Sequence, residues 1–224
     1  MVKVAIIIPT REIDFYAKRC VERCNTLYPE VEIMLITDGL VPGLPSKKRN
    51  WAMKHSTADI FAFLDSDAYP DNGWLENALI WLEKYDAVCG PGVLPPDAPF
   101  EEQVADQVHK WMFAPYRVTP QEPRMVKWFP TFNLIVKREV ATNFEGFLTG
   151  EDDRFGLNIK GGIFYHPSIL VYHNRRGIFK PLWRQFGQWG KTKGHFQRLA
   201  FIAWVTTLLV YAVNFVKGIF LKKI

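Results

Sequence analysis

A chain of 224 residues, 48% hydrophobic and 15% aromatic, is too apolar to be disordered and long enough for one well-packed domain with an appendage. Its net charge of +5 hides an asymmetry: all 23 acidic residues lie at or before Asp153, whereas 12 of the 28 Lys and Arg fall from Arg154 onward. Three cysteines, Cys20, Cys24 and Cys89, are too few for a disulfide framework and fit a reducing compartment, and the N-terminal apolar run is too short for a signal-peptide core.

Residues 2–8 read as a buried strand ended by Pro9. A helix follows, capped by Asp14, with Ala17, Cys20, Val21, Cys24 and Leu27/Tyr28 forming its inward stripe until Pro29 stops it. A second strand over 31–37 ends in Asp38-Gly39, and Ser46 is the expected cap of a helix over 47–55. The third strand, 60–64, closes abruptly on Asp65-Ser66-Asp67. Asp71 or Asn72 then opens a helix through Lys84 that buries Trp74, Leu75, Ala78, Leu79 and Leu82, and 87–93 is a strand broken by Gly90-Pro91-Gly92. This alternation predicts a parallel sheet wound with right-handed crossovers. At Leu94 the texture changes: Pro95, Pro96 and Pro99 mark a linker before an amphipathic helix over 100–113. Further on, 126–136 reads as a strand interrupted at Pro130, a short helix begins at Lys137, and 163–172 is a last strand, interrupted at Pro167 and ending in His173.

The tail from Arg175 to Arg198 is basic and aromatic, and residues 199–216 are 18 positions without a formal charge, bracketed by Arg198 and by Lys217, Lys222 and Lys223. About 18 apolar residues is the threshold for crossing a bilayer, and basic flanks suit its two surfaces, so a spanning or interfacial helix is expected. A soluble oligomerisation helix is the alternative. The apolar ending turns the basic charge toward anionic lipid rather than nucleic acid.

Chemistry concentrates where the third strand ends. In a parallel sheet the carboxyl edge of the strands is where ligands bind, and Asp-x-Asp there supplies hard oxygen donors for Mg²⁺ or Mn²⁺ bridging a nucleotide diphosphate. The same residues, followed by Tyr69-Pro70-Asp71-Asn72-Gly73, also suit a plain turn. Lys48 and Arg49 are placed to meet phosphate or a site acid, or to lie on a solvated helix face. A second acidic run, Glu151-Asp152-Asp153, lies between glycines and fits either a reacting group or a helix N-terminus.

Taken in order, Ile6-Ile-Ile-Pro-Thr10, Ile36-Thr-Asp38-Gly39, Lys48-Arg49-Asn50, Phe63-Leu-Asp65-Ser-Asp67 and Gly150-Glu151-Asp152 resemble the inverting family-2 glycosyltransferases of the GT-A fold, over about residues 2–195. The resemblance implies that Pro9, Thr10, Arg11, Glu12, Asp38, Arg49, Asp65 and Ser66 bind a nucleotide-sugar donor, with a UDP-sugar favoured. It implies that Asp67 and Asp65 hold Mn²⁺ or Mg²⁺, joined by His173, which is otherwise a structural histidine. Asp152 is then the catalytic base, with Glu151 and Asp153 in reserve. The place before Asp38, where the family usually carries another acid, is Thr37. Gln185-Phe-Gly-Gln188-Trp189 is similar to the Gln-x-x-Arg-Trp of processive synthases, but Gln188 replaces the arginine, which argues against polymer export. Trp183 and Trp189 suit sugar stacking, lipid headgroups or a core.

The resulting expectation is an α/β protein with a GT-A-like, mostly parallel twisted sheet. Residues 1–95 would form its nucleotide-sugar half, 96–175 its acceptor half, and 176–224 a tail carrying the membrane helix. Its activity would be metal-dependent, inverting transfer of a single sugar to a hydroxyl of a lipid-linked or glycan acceptor, with the catalytic domain on the cytoplasmic side of the membrane, no nucleic-acid partner, and a homo-oligomer formed through the C-terminal helix. The rivals are a haloacid-dehalogenase-like phosphohydrolase, which places its Asp-x-Asp after the first strand, and a catalytically silent membrane scaffold.

Overall fold

Three of the apolar runs become adjacent strands. In the computed structural model, β1 (Val4–Pro9) lies between β2 (Glu32–Ile36) and β3 (Ile60–Leu64), parallel to both. The structure describes residues 2–113, 122–127, 129–144 and 155–175, with four isolated positions between 205 and 213. Two units are distinguished, one of Met1–Val93 with Pro120–His173 and the other of Leu94–Thr119 with Asn174–Ile224.

Both faces of the first unit's sheet are covered, which is why β1 and β3 read as unbroken apolar runs. Side chains alternate between two cores. Ile6, Ile8, Ala62 and Leu64 pack with Cys20 and Cys24 of α1 (Phe15–Leu27) and with Trp74, Leu75 and Ala78 of α3 (Trp74–Leu82). Ile7, Phe61 and Phe63 point the other way, toward Ala52 and Met53 of α2 (Pro45–His55) and toward Phe144 and Phe155. Each large apolar side chain fully buried in this way contributes about 1.5–3 kcal/mol.

The remaining strands are β4 (Ala68–Pro70), β5 (Ala87–Cys89), β6 (Gly92–Val93), β7 (Arg124–Val126), β8 (Asn133–Lys137), β9 (Ile163–Tyr165) and β10 (Val171–His173). The large sheet runs β2-β1-β3-β8-β5-β9-β7, and a small one runs β4-β10-β6. The large sheet is mixed rather than mostly parallel. β8 is antiparallel to β3 and to β5, and β7 is antiparallel to β9, so three of its six pairings are antiparallel. The run Leu134-Ile135-Val136 is fully buried in either direction, so its composition carries no sign of orientation. The strand read over 87–93 is divided by Gly90-Pro91 between the two sheets.

Helix starts differ from the expected caps in two places. Asp14 does cap α1, its carboxylate accepting from Ala17 N at 2.9 Å. Pro45, with its preset φ, instead begins α2 two residues early, so Ser46 lies buried inside the first turn and caps nothing. α3 starts after Gly73 at φ +75°, a conformation that favours glycine, while the Asn72 side chain is taken by Arg23 at 2.8 Å.

In the second unit, α4 (Phe100–Phe113) buries two acids one turn apart. Glu102 Oε2 accepts from Asn174 Nδ2 at 2.8 Å and from the Arg175 amide at 3.0 Å, and Asp106 Oδ1 meets Arg175 Nε at 3.1 Å. These buried carboxylates are thus hydrogen-bonded, as burial of a charge demands.

Candidate functional site

Because β1, β2 and β3 are parallel neighbours, the loops leaving Pro9, Ile36 and Leu64 share one edge of the sheet. Backbone bonds stitch the first two together: Thr10 N donates to Ile36 O at 2.9 Å and Asp38 N to Arg11 O at 3.1 Å. Thr10 is buried, its hydroxyl donating to Glu12 O at 2.8 Å, whereas Arg11 and Glu12 are exposed. This edge therefore gathers Pro9, Thr10, Arg11, Glu12, Asp38, Asp65 and Ser66.

Two acids of the edge, Asp38 and Asp65, each have a cation behind them from α2. Lys48 is 1% exposed, and its ammonium donates to Gly43 O at 2.6 Å and pairs with Asp38. That hydrogen bond holds the Asp38 carboxyl below its ordinary value, against a smaller opposing effect of desolvation. Arg49, 3% exposed, donates through Nη2 to Asp65 Oδ1 at 2.8 Å and lies over the Phe144 ring at 5.4 Å. The Lys48-Arg49 pair thus binds site acids and is not a solvated face. Asn50 completes the motif by gripping the Phe144 backbone, donating to its carbonyl at 2.8 Å and accepting from its amide at 2.7 Å.

After Asp65 the chain turns, Ala68 N bonding back to Asp65 O at 3.0 Å, and continues into β4. There it pairs antiparallel with β10, setting His173 opposite Ala68 and hence beside Asp67. His173 Nε2 lies 3.4 Å from Asp67 Oδ1. One ligand atom from each of Asp65, Asp67 and His173 falls within 4.8 Å of the others. Two carboxylates and an imidazole, half-buried at a sheet edge, are a donor set that fits a divalent cation. A residue remote in sequence, His173, is brought to the Asp-x-Asp by pairing in the small sheet.

Glu151, Asp152 and Asp153 lie outside the described residues, as do the 183–189 stretch and, apart from four positions, the 199–216 stretch. Among the described residues no helix is long and apolar enough to cross a membrane.

Residues 43–143 match the family model described as glycosyl transferase family 2, a span running from the loop before α2 past β8 and including Asp65 and Asp67. This part of the chain, somewhat under half of its length, is similar to a glycosyltransferase domain. Solved structures share the fold. The protein A197 from STIV aligns at 20% identity with a TM-score of 0.52, over 77% of this chain and 85% of that one. TarS 1-349 of S. aureus, in complex with UDP-GlcNAc, aligns at 17% identity and 0.54, over 78% of this chain and 59% of its own. GalNAc-T7, with UDP, GalNAc and Mn²⁺, aligns at 11% and 0.54, over 77% of this chain and 44% of its own. This chain therefore spans about half the length of the last two. No curated protein matches it. At these identities the likeness is one of fold, GT-A, and it agrees with the mixed sheet and its flanking helices.

The reading of the sequence did not single out Phe132, Asn133 or Phe144. Phe132 and Phe144 carry no chemistry of their own, and Asn133 sits within an apolar run. The one available signal was Gly90-Pro91-Gly92, since glycines inside a strand mark close approach of a neighbouring segment.

Proposed function

We propose that this chain transfers a single sugar from a nucleotide-sugar donor to an acceptor hydroxyl, with inversion, and that it does so with a divalent cation held by Asp67, Asp65 and His173. The observation that carries the reading is the convergence of these three side chains at the edge where Asp38 lies in the turn after β2. When bound, Mn²⁺ or Mg²⁺ neutralises charge on the departing diphosphate. Asp38 accepts hydrogen bonds from the nucleoside, and Thr10 and Arg11 line the same edge. Its acid is held ionised by Lys48, so it acts as an acceptor only. Arg49 fixes the orientation of the Asp65 carboxylate. Asp152, from the Gly-Glu-Asp pattern in the sequence, takes the acceptor hydroxyl's proton as that oxygen attacks the anomeric carbon opposite the leaving group.

Two fold neighbours were solved with UDP or a UDP-sugar, which supports a uridine diphosphate donor here. The basic tail from Arg175 and the uncharged 199–216 stretch support an acceptor presented at an anionic membrane, of the lipid-linked class. Against a phosphohydrolase stands the position of the Asp-x-Asp, which follows the third strand of the sheet rather than the first.

The test is a thermal-shift screen of the whole chain against UDP-, GDP-, ADP- and TDP-sugars with Mn²⁺, Mg²⁺ or EDTA. A ligand stabilises the state that binds it, so one donor should raise the melting temperature with metal present and lose most of that rise in EDTA. No stabilisation by any donor in the presence of metal would remove this reading.

A further inference from the structure

Gly90 and Gly92 are both places where a side chain would collide, but with different neighbours. A Cβ on Gly90 would lie 1.9 Å from Ile169 O, so that position is fixed by main chain against main chain. A Cβ on Gly92 would instead meet the Phe132 ring, at 2.5 Å from Cε2 and 3.0 Å from Cζ, and His173 Cβ at 3.3 Å. The Phe132 ring occupies the space that Gly92 leaves. Its other contact is the candidate ligand: the ring centroids of Phe132 and His173 are 4.6 Å apart, their planes inclined by 33°. Phe129 backs Phe132 with its centroid 5.7 Å away.

Resting on the cation site proposed above, we infer that Phe132 is a positioning residue for His173, holding the imidazole at the rotation that presents Nε2 to Asp67, and that Gly92 lacks a side chain so that the ring can lie there. The physical need is specific. The last torsion of a histidine is broad, so the backbone of β10 alone does not fix the plane in which the imidazole faces the site. A flat aromatic ring against the imidazole restricts that torsion without competing for the nitrogen lone pair. Removing the outer-shell hydrogen-bond partner that orients a metal ligand costs about 10–100-fold in affinity, and a packing contact that orients the same ring acts in the same direction, at the low end of that range.

The experiment titrates the whole chain with Mn²⁺ alone, reading affinity from the electron paramagnetic resonance of free Mn²⁺ and the histidine ligand from ¹⁴N modulation of the electron spin echo. Phe132→Ala should weaken Mn²⁺ by roughly tenfold and diminish the ¹⁴N modulation, and Phe132→Leu, which keeps bulk but not a flat face and guards against a folding failure, should do the same to a smaller extent. Gly92→Ala should weaken Mn²⁺ in the parent chain and have little further effect in the Phe132→Ala background, where the new methyl enters vacated space. His173→Ala separates the two readings. If it leaves affinity and modulation unchanged, the cation site itself fails and this inference goes with it. If it abolishes the modulation while Phe132→Ala and Phe132→Leu retain both parental affinity and parental signal, the role of Phe132 alone is overturned.

Discussion

Replacing Asn133 by Ala should be among the most destabilising single changes in the first unit. Asn133 is fully buried at the start of β8 and makes three hydrogen bonds: it accepts from Trp74 Nε1 at 2.8 Å and donates to Ile169 O at 2.7 Å and Pro91 O at 3.2 Å. The substitution does not strand all three partners. Pro91 O still accepts from the Val171 amide at 3.1 Å, leaving the indole N–H and Ile169 O as the groups that lose their partner. Each buried polar group so deprived costs about 1–3 kcal/mol, which gives roughly 4 kcal/mol in all. Against a total stability of about 5–15 kcal/mol that is a large fraction. Urea denaturation followed by far-ultraviolet circular dichroism measures it as a lowered midpoint at unchanged slope. Trp74→Phe removes the donor on its own and should cost less than Asn133→Ala. Combining the two should cost less than their sum, because the stranded indole N–H is then gone. A loss below about 1 kcal/mol for Asn133→Ala at unchanged slope would refute the reasoning, since it would mean that these groups find other partners without strain.

Three further outcomes are expected. Asp67→Ala should abolish the metal-dependent part of donor stabilisation in the thermal-shift assay, whereas Asp152→Ala should keep donor binding and lower transfer by about 10²–10⁴-fold in a product assay. The Asp38–Lys48 pair should make its contribution above the ordinary Asp value of 3.8 and lose it as pH falls through the lowered value of the folded state, so the stability difference between the parent and Asp38→Asn, measured by urea denaturation, should shrink on going from pH 5 toward pH 2. Cys20, Cys24 and Cys89 are buried, and the thiols of Cys20 and Cys89 are pushed up, Cys20 first by its hydrogen bond with Cys24 and Cys89 by desolvation. Native protein at pH 8 should accordingly leave a disulfide reagent such as DTNB unreacted until urea is added.

What could be read from the sequence was whatever is local. The covered strands at β1 and β3, the stripe of α1 and the Asp-x-Asp at a strand end follow from periodicity and from the abrupt change from apolar to acidic residues. Lys48 and Arg49 were legible as cations able to meet phosphate or a site acid, but the choice between these and which acid each takes were not, because pairing across an α/β turn depends on the helix's rotation. The orientation of β8 was not legible, since a strand buried on both faces has the same composition either way up. His173 was suggested only by a family pattern; what sets it beside Asp67 is the antiparallel register of β10 against β4. The caps of α2 and α3 were misread where Pro45 and Gly73 override a neighbouring Ser or Asx.

The placement of β8 also bears on how the chain is assembled. The flank of β3 that it covers is made by residues 133–137, about seventy positions later and beyond an excursion into the other unit. During synthesis, or in any fragment cut near Val93, Ile60–Leu64 would stand as an unsatisfied apolar rim with its backbone groups open to any passing strand. The N-terminal segment is therefore prone to clump when expressed by itself. Co-expression of residues 120–175 as a separate piece is the natural rescue.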